Sequence, residues 1–319
     1  MSNPEHLNRL MAAADASDMA PWNAWRDSNP DVSPNLIEAN LQGVILSGAN
    51  LSGANLYGAE LDGADLSTAD LSKADLGRAD LEGADLCAAN LSGAKLGGAN
   101  LKRAELIGAR LIRTQLVGAH LGEAKLVCAN LAGAALSWAD LRDADLTWAD
   151  LRDADLGGAN FENTNVTGVL YNRWARYRGI RLSTSYGSPA FKRFALDQEY
   201  IEELRGSTYA GKLTYIAWLL LADCGRSLWV WAFWCLATVF GFAGTFWMLG
   251  PDALRRTDLP WEPVTALFYS VIVFSTLGFG GISPIAKSAA ICVMIEVIIG
   301  YVMFAGLISI LISKLARRS

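Results

Sequence analysis

Histidine is nearly missing from this 319-residue chain: there are two, His6 and His120, far apart in sequence. The five cysteines, Cys87, Cys128, Cys224, Cys235 and Cys292, form no CxxC pair. That leaves no metal-ligand cluster and no disulfide framework, and it fits a reducing compartment for Cys87 and Cys128. No nucleophile motif and no Walker loop occurs. The glycines of LGGAN lie on a five-residue lattice rather than in a phosphate-binding turn. No apolar run is rich in arginine, so no voltage sensor is expected. No nucleotide-binding regulatory domain is visible. The first 20 residues contain no apolar h-region, so no signal peptide is expected either. An enzyme is not expected, and no cofactor is implied.

What the chain has is a repeat. From residue 36 to residue 156 every fifth residue is leucine, 25 in succession, and Phe161 and Val166 continue the register to 27 pentads. Two positions before each of these stands alanine, apart from Pro34, Val44, Thr114 and Thr164. The residue just before the leucine is most often Asp or Asn. A period of five is neither that of a helix nor that of a flat strand, so a stacked architecture is indicated.

The pattern A-(D/N)-L-x-x resembles the pentapeptide-repeat family. The resemblance implies a right-handed quadrilateral β-helix with four pentads per coil, leucine and alanine inward and the other three positions outward. At ~4.8 Å per coil, about seven coils give a rod of roughly 30–35 Å. The open ends of such a rod need covering. Residues 4–28, with a helix-like run and the bulk of Trp22 and Trp25, are the candidate first cap. Residues 36–170 carry 18 acidic and 10 basic side chains. Some members of the family mimic DNA and bind topoisomerases, which is one reading of that charge. The other is solubility of a thin rod with interspersed charges, and it makes a nucleic-acid or DNA-mimic role the lesser expectation.

Residues 171–226 reverse the sign, with nine basic and five acidic groups. YNRWARYRGIRLSTSYG alternates arginine with aromatics and is read as a contact with anionic lipid headgroups. SPAFKRFALDQEYIEELR reads as an amphipathic helix started by Ser188 and Pro189. LTYIAWLLLA, residues 213–222, is apolar but too short to span a bilayer. It is expected to lie at the interface, either coupling cytoplasmic movement to a gate or anchoring passively.

Two apolar segments are long enough to span. Residues 228–251 carry no charge and contain Trp229, Trp231, Trp234 and Trp247; residues 288–313 are interrupted only by Glu296. Between them, residues 263–275 are too short to span and read as a re-entrant helix, with the next stretch of backbone buried against protein or water. That backbone is Thr276, Leu277, Gly278, Phe279 and Gly280, a threonine and then two glycines around an aromatic. Glycine tolerates the backbone angles by which carbonyls can turn toward a narrow axis and replace the hydration shell of a cation.

The stretch ALFYSVIVFSTLGFGGISP resembles the pore helix, filter and outer mouth of the potassium channel superfamily, over residues 228–314. The resemblance implies that the carbonyls of Thr276, Leu277, Gly278 and Phe279, with the Thr276 hydroxyl, line the ion sites. It matches Gly300, twenty residues after Gly280, to the family's gating hinge, and it implies a homotetramer, because one loop supplies a quarter of a filter. Gly281 stands where the family usually has aspartate, and Leu277 where valine or isoleucine is commoner. Ile272 occupies the position at which some bacterial channels carry a filter-bracing glutamate. Glu296, alone among the ionisable residues of its segment, is read as filter support or as a protonated carboxyl satisfied by a neighbouring helix.

The expected organisation is therefore an N-terminal helical cap (1–30), a β-helix (31–170), a connector (171–226) and an α-helical two-span pore domain with a re-entrant helix (227–319). Lys314, Arg317 and Arg318, with Lys212 and Arg226, place both ends of the chain in the cytoplasm and the spans in the inner (plasma) membrane. The expected function is a tetrameric cation channel passing potassium ions. Its β-helices would serve regulation, assembly or an unknown cytoplasmic protein or ligand. The alternative is a membrane-anchored interaction protein.

Overall fold

The computed structural model describes residues 2–206, 208, 209, 211–213, 216, 228–255, 260–275 and 283–316, arranged as two compact units that divide after Glu203. The filter sequence at 276–280, Gly281, and most of the expected interfacial segment at 213–222 lie outside the described residues.

In the first unit, parallel bridges join residues twenty apart, from Asn35–Asn55 through Asp150–Leu170, so each coil is four pentads. The leucine amide donates to the next coil, as Leu36 does to the Asn55 carbonyl at 2.7 Å, and the residue before the next leucine returns a bond, as Asn55 does to Pro34 at 2.8 Å. The five-residue period fixes what faces in. The leucines and alanines of the repeat are buried, forming ladders that run the length of the coil stack. Alanine fits opposite leucine because the interior has no room for a second large side chain. Thr114 and Thr164 replace it at two levels, and their buried hydroxyls donate to the carbonyls of Leu91 (2.8 Å) and Leu141 (2.6 Å). A buried hydroxyl is tolerated when it is paired.

The preference for Asp or Asn before the leucine also has a local cause. The side-chain oxygen accepts the amide two residues on, as Asp65 does from Ser67 and Asp85 does from Cys87, both at 2.9 Å. This Asx turn pins each corner. The residue after that amide takes a positive φ, which favours glycine, yet Trp138 (φ 62°) and Trp148 (φ 59°) occupy it as well.

The two ends of the stack are closed differently. Helices α1 (Pro4–Asp15) and α2 (Ala20–Ser28) cover the first coil. Trp22 is buried and its Nε1 donates to the Asn50 carbonyl at 2.9 Å. Arg26 donates to the carbonyls of Ser52 (2.7 Å), Asn50 and Val32.

At the far end the ladder does not stop at 170. It runs on through Asp155–Arg176, Asn160–Arg181 and Asn165–Tyr186, now twenty-one residues apart. One residue is inserted after Tyr171, which shifts the frame and hides the coil from a five-residue count. The segment read as a headgroup contact is thus the last coil, with Ala175, Tyr177, Ile180 and Leu182 buried and its arginines outward. Helix α3 (Pro189–Gly206) then seals the end, seating Phe191 and Ala195 in the core. Glu202 accepts the amides of Tyr177 (3.0 Å) and Arg178 (2.9 Å), and Glu199 accepts that of Gly179 (3.0 Å).

The second unit is helical. Helix α4 (Leu228–Leu249) and helix α6 (Lys287–Ala316) flank α5 (Pro263–Phe274), and all three pack together. Both α4 and a 22-residue stretch of α6 are long and apolar enough to cross a membrane. The 12 residues of α5 reach about 18 Å, too short to do so. Pro263 at its first turn starts α5, and two short antiparallel strands, β1 (Leu254–Arg255) and β2 (Ser283–Pro284), tie the segments that flank it.

Candidate functional site

The site is built around the end of α5, because the 276–280 sequence comes directly after it. Helix α5 is held from both sides. Tyr269 is fully buried, its ring edge-on to Phe246 of α4 with centroids 4.9 Å apart. Ser270 Oγ lies 2.9 Å from the Val239 carbonyl oxygen of α4 and within hydrogen-bonding distance of Glu296 Oε1 of α6. Glu296 is completely buried. At the last turn, Ser275 Oγ bonds back to the Val271 carbonyl at 2.6 Å.

On α6 the buried residues Ala289, Val293, Glu296 and Met303, with Gly300 between them, form one stripe at helical spacing. Gly300 falls where α6 meets the end of α5: a Cβ at this position would collide with the Phe274 carbonyl oxygen. The structure therefore gives Gly300 a close-packing task on the last turn before residue 276. On the far side, Trp231 Nε1 of α4 donates to the Met303 carbonyl of α6 at 2.9 Å.

The predicted residues Glu296 and Gly300 are thus brought onto one face of α6, both against α5. Thr276, Leu277, Gly278, Phe279 and Gly280 lie outside the described residues. Sequence reasoning missed Ser270 and Tyr269. The available signal was two adjacent polar residues, Tyr269 and Ser270, in the middle of a largely apolar twelve-residue helix.

The rest of α6 presents apolar side chains outward, including Ile291, Met294, Ile298, Tyr301 and Phe304. A helix apolar all round is suited to a bilayer or to further helices. Among the described residues no cluster of three or more His, Cys, Asp or Glu could hold a metal ion.

Comparison with known proteins finds one family in each of the two units. Residues 35–72, 65–103, 88–122, 104–143 and 129–168 match the family described as pentapeptide repeats, in eight copies. Residues 227–317 match the family described as ion channel. Among solved structures, a pentapeptide repeat protein (Rfr23) of the cyanobacterium Cyanothece 51142 is 40% identical over 29% of this chain and 63% of its own, with a TM-score of 0.29. This chain thus spans less than two thirds of that relative's length. A pentapeptide repeat protein of the Arabidopsis thaliana thylakoid lumen is 36% identical over 30% of this chain and 70% of its own (TM-score 0.26). HetL of Nostoc sp. strain PCC 7120 is 25% identical over 52% of this chain and 96% of its own (TM-score 0.20). No curated protein matches this chain.

Proposed function

We propose that this chain, which joins pentapeptide repeats to an ion-channel domain with two span-length helices, is a membrane protein and forms a homotetrameric, cation-selective channel that passes potassium ions. The observation that carries the reading is the ion-channel match together with a membrane-short helix, α5, clamped between two span-length helices directly before Thr276-Leu277-Gly278-Phe279-Gly280. Four copies of that loop around one axis would present carbonyl rings to a dehydrated cation. Helix α5 would set the position of each loop, and Glu296, through Ser270, would support it from behind. Gly300 would serve as the point at which α6 bends to gate, its missing side chain letting α6 slide against the Phe274 carbonyl.

The permeating ions are cargo, and the mechanism requires no cofactor. The outward apolar surface of α6 would meet lipid or the neighbouring subunits of the tetramer. The charges of residues 212, 226, 314, 317 and 318 favour the inner membrane with both ends of the chain cytoplasmic. The β-helices would then be cytoplasmic modules for regulation, assembly or a partner. Purified protein in planar bilayers tests the reading. Wild type is expected to carry potassium current, and Gly278→Asp, which puts a side chain into the carbonyl ring, is expected to abolish it. An absence of current in wild type would refute conduction.

A further inference from the structure

Behind α5, three helices meet at one serine hydroxyl. Ser270 Oγ faces two oxygens, the Val239 carbonyl of α4 and Oε1 of Glu296 on α6. A serine hydroxyl has one proton to give, and a carbonyl has none. If Ser270 donates to Val239, the contact with Glu296 can be a hydrogen bond only when the carboxyl supplies the proton. Two further observations agree. Glu296 Oε2 is buried and has no hydrogen-bond partner among the described residues, so an ionised carboxylate would leave charge uncompensated there. Nor does a cation face it among the described residues. Helices α4 and α5 contain no charged residue, and the only charged residues besides Glu296 within α6, Lys287 and Lys314, stand nine and eighteen positions away. The titratable group that faces Glu296 from α5 is Tyr269, whose buried hydroxyl is likewise without a partner among the described residues. Cys235 is the one thiol of α4. A buried charge without a partner is far costlier than a neutral acid in a hydrogen-bonded chain.

We propose that Glu296 is held as a carboxylic acid in a proton-ordered chain, Glu296 to Ser270 to the Val239 carbonyl, that ties the three helices together and whose deprotonation stops conduction. The proton leaves to solvent. The carboxylate then takes the Ser270 proton as its own hydrogen bond, and the Val239 carbonyl loses its donor. The link from α4 to α6 is broken, and a bare charge remains behind the pore helix. Glu296 is a positioning residue here, acting on α5 through Ser270. The inference depends on the channel reading for its effect on current and not for its protonation state.

Infrared spectroscopy of the full-length protein in lipid reads that state directly. Wild type at neutral pH is expected to show a protonated-carboxyl C=O stretch that is absent from Glu296→Gln and shifted in Ser270→Ala. Absence of that band in wild type overturns the proposal. In bilayers, wild-type current is expected to be lost reversibly as pH rises above neutral. Glu296→Gln, whose amide can still donate to Ser270, is expected to keep the neutral-pH current and lose the pH dependence. A wild-type profile that is flat, or one that Glu296→Gln leaves unchanged, overturns it. Current missing from both proteins at every pH overturns conduction itself, and the infrared band alone then decides the protonation.

Discussion

Gly158 takes a φ of +67° directly beneath the Trp138 ring, and a Cβ there would come within 2.6 Å of ring carbon Cε3. Replacing it by alanine combines left-handed strain with a clash, so Gly158→Ala is expected to destabilise the β-helix by about 1–3 kcal/mol. Trp138→Ala should recover part of that loss, because the two changes share one contact, and a double-mutant cycle in chemical denaturation measures the coupling. Charge acts at this scale too. The Arg152 guanidinium binds Asp150 through Nε and Nη2 (2.9 and 2.6 Å) and, against partial burial, holds its carboxyl below the ordinary carboxylate range. The folded chain therefore binds that proton less readily than the unfolded one. The contribution is complete above the ordinary range and is lost as pH falls through the lowered value. Arg152→Ala is expected to flatten the acid side of the melting temperature against pH, with little effect of acidification left at this site. The inward leucines and alanines were legible because their period is five. The bonds of Thr114 and Thr164 to carbonyls twenty-three residues back were not, because they depend on the coil closing.

At the scale of elements, the end of the β-helix is where sequence and structure part. A count of five finds no coil after residue 170, since one inserted residue moves Tyr177 and Leu182 into the places a leucine would hold. Helix α3 was legible as an amphipathic helix, but its role as a lid was not. That role rests on Glu199 and Glu202 reaching the amides of the last coil. Glu202→Ala leaves the part-buried amide of Tyr177 unpaired, at a cost of about 1–3 kcal/mol, and returns the exposed amide of Arg178 to water. The expected result is earlier unfolding of the β-helix with increased self-association through the uncovered edge, measured by thermal melts and light scattering. In the second unit, the lengths of α4, α5 and α6 were legible from apolar runs and Pro263. The contacts of Ser270 were not, since spacing within α5 cannot say which neighbour each polar side chain meets.

For the whole molecule, the claim is that a rod of stacked pentads and a pore-forming helical unit serve one conduction pathway. The division into 1–203 and 204–319 puts the end of the rod's fold beyond α3's midpoint, so the last coil and its lid belong to the repeat and not to the membrane part. Leu277 and Gly281 depart from the residues usual at these places in potassium channels, so the identity of the ion is the property to measure. It is tested by the reversal potential of the purified full-length protein in a bilayer under opposed potassium and sodium gradients. A current whose reversal potential lies close to the potassium equilibrium potential is expected. A reversal near zero would contradict potassium selectivity, and no current at any voltage would contradict the channel itself.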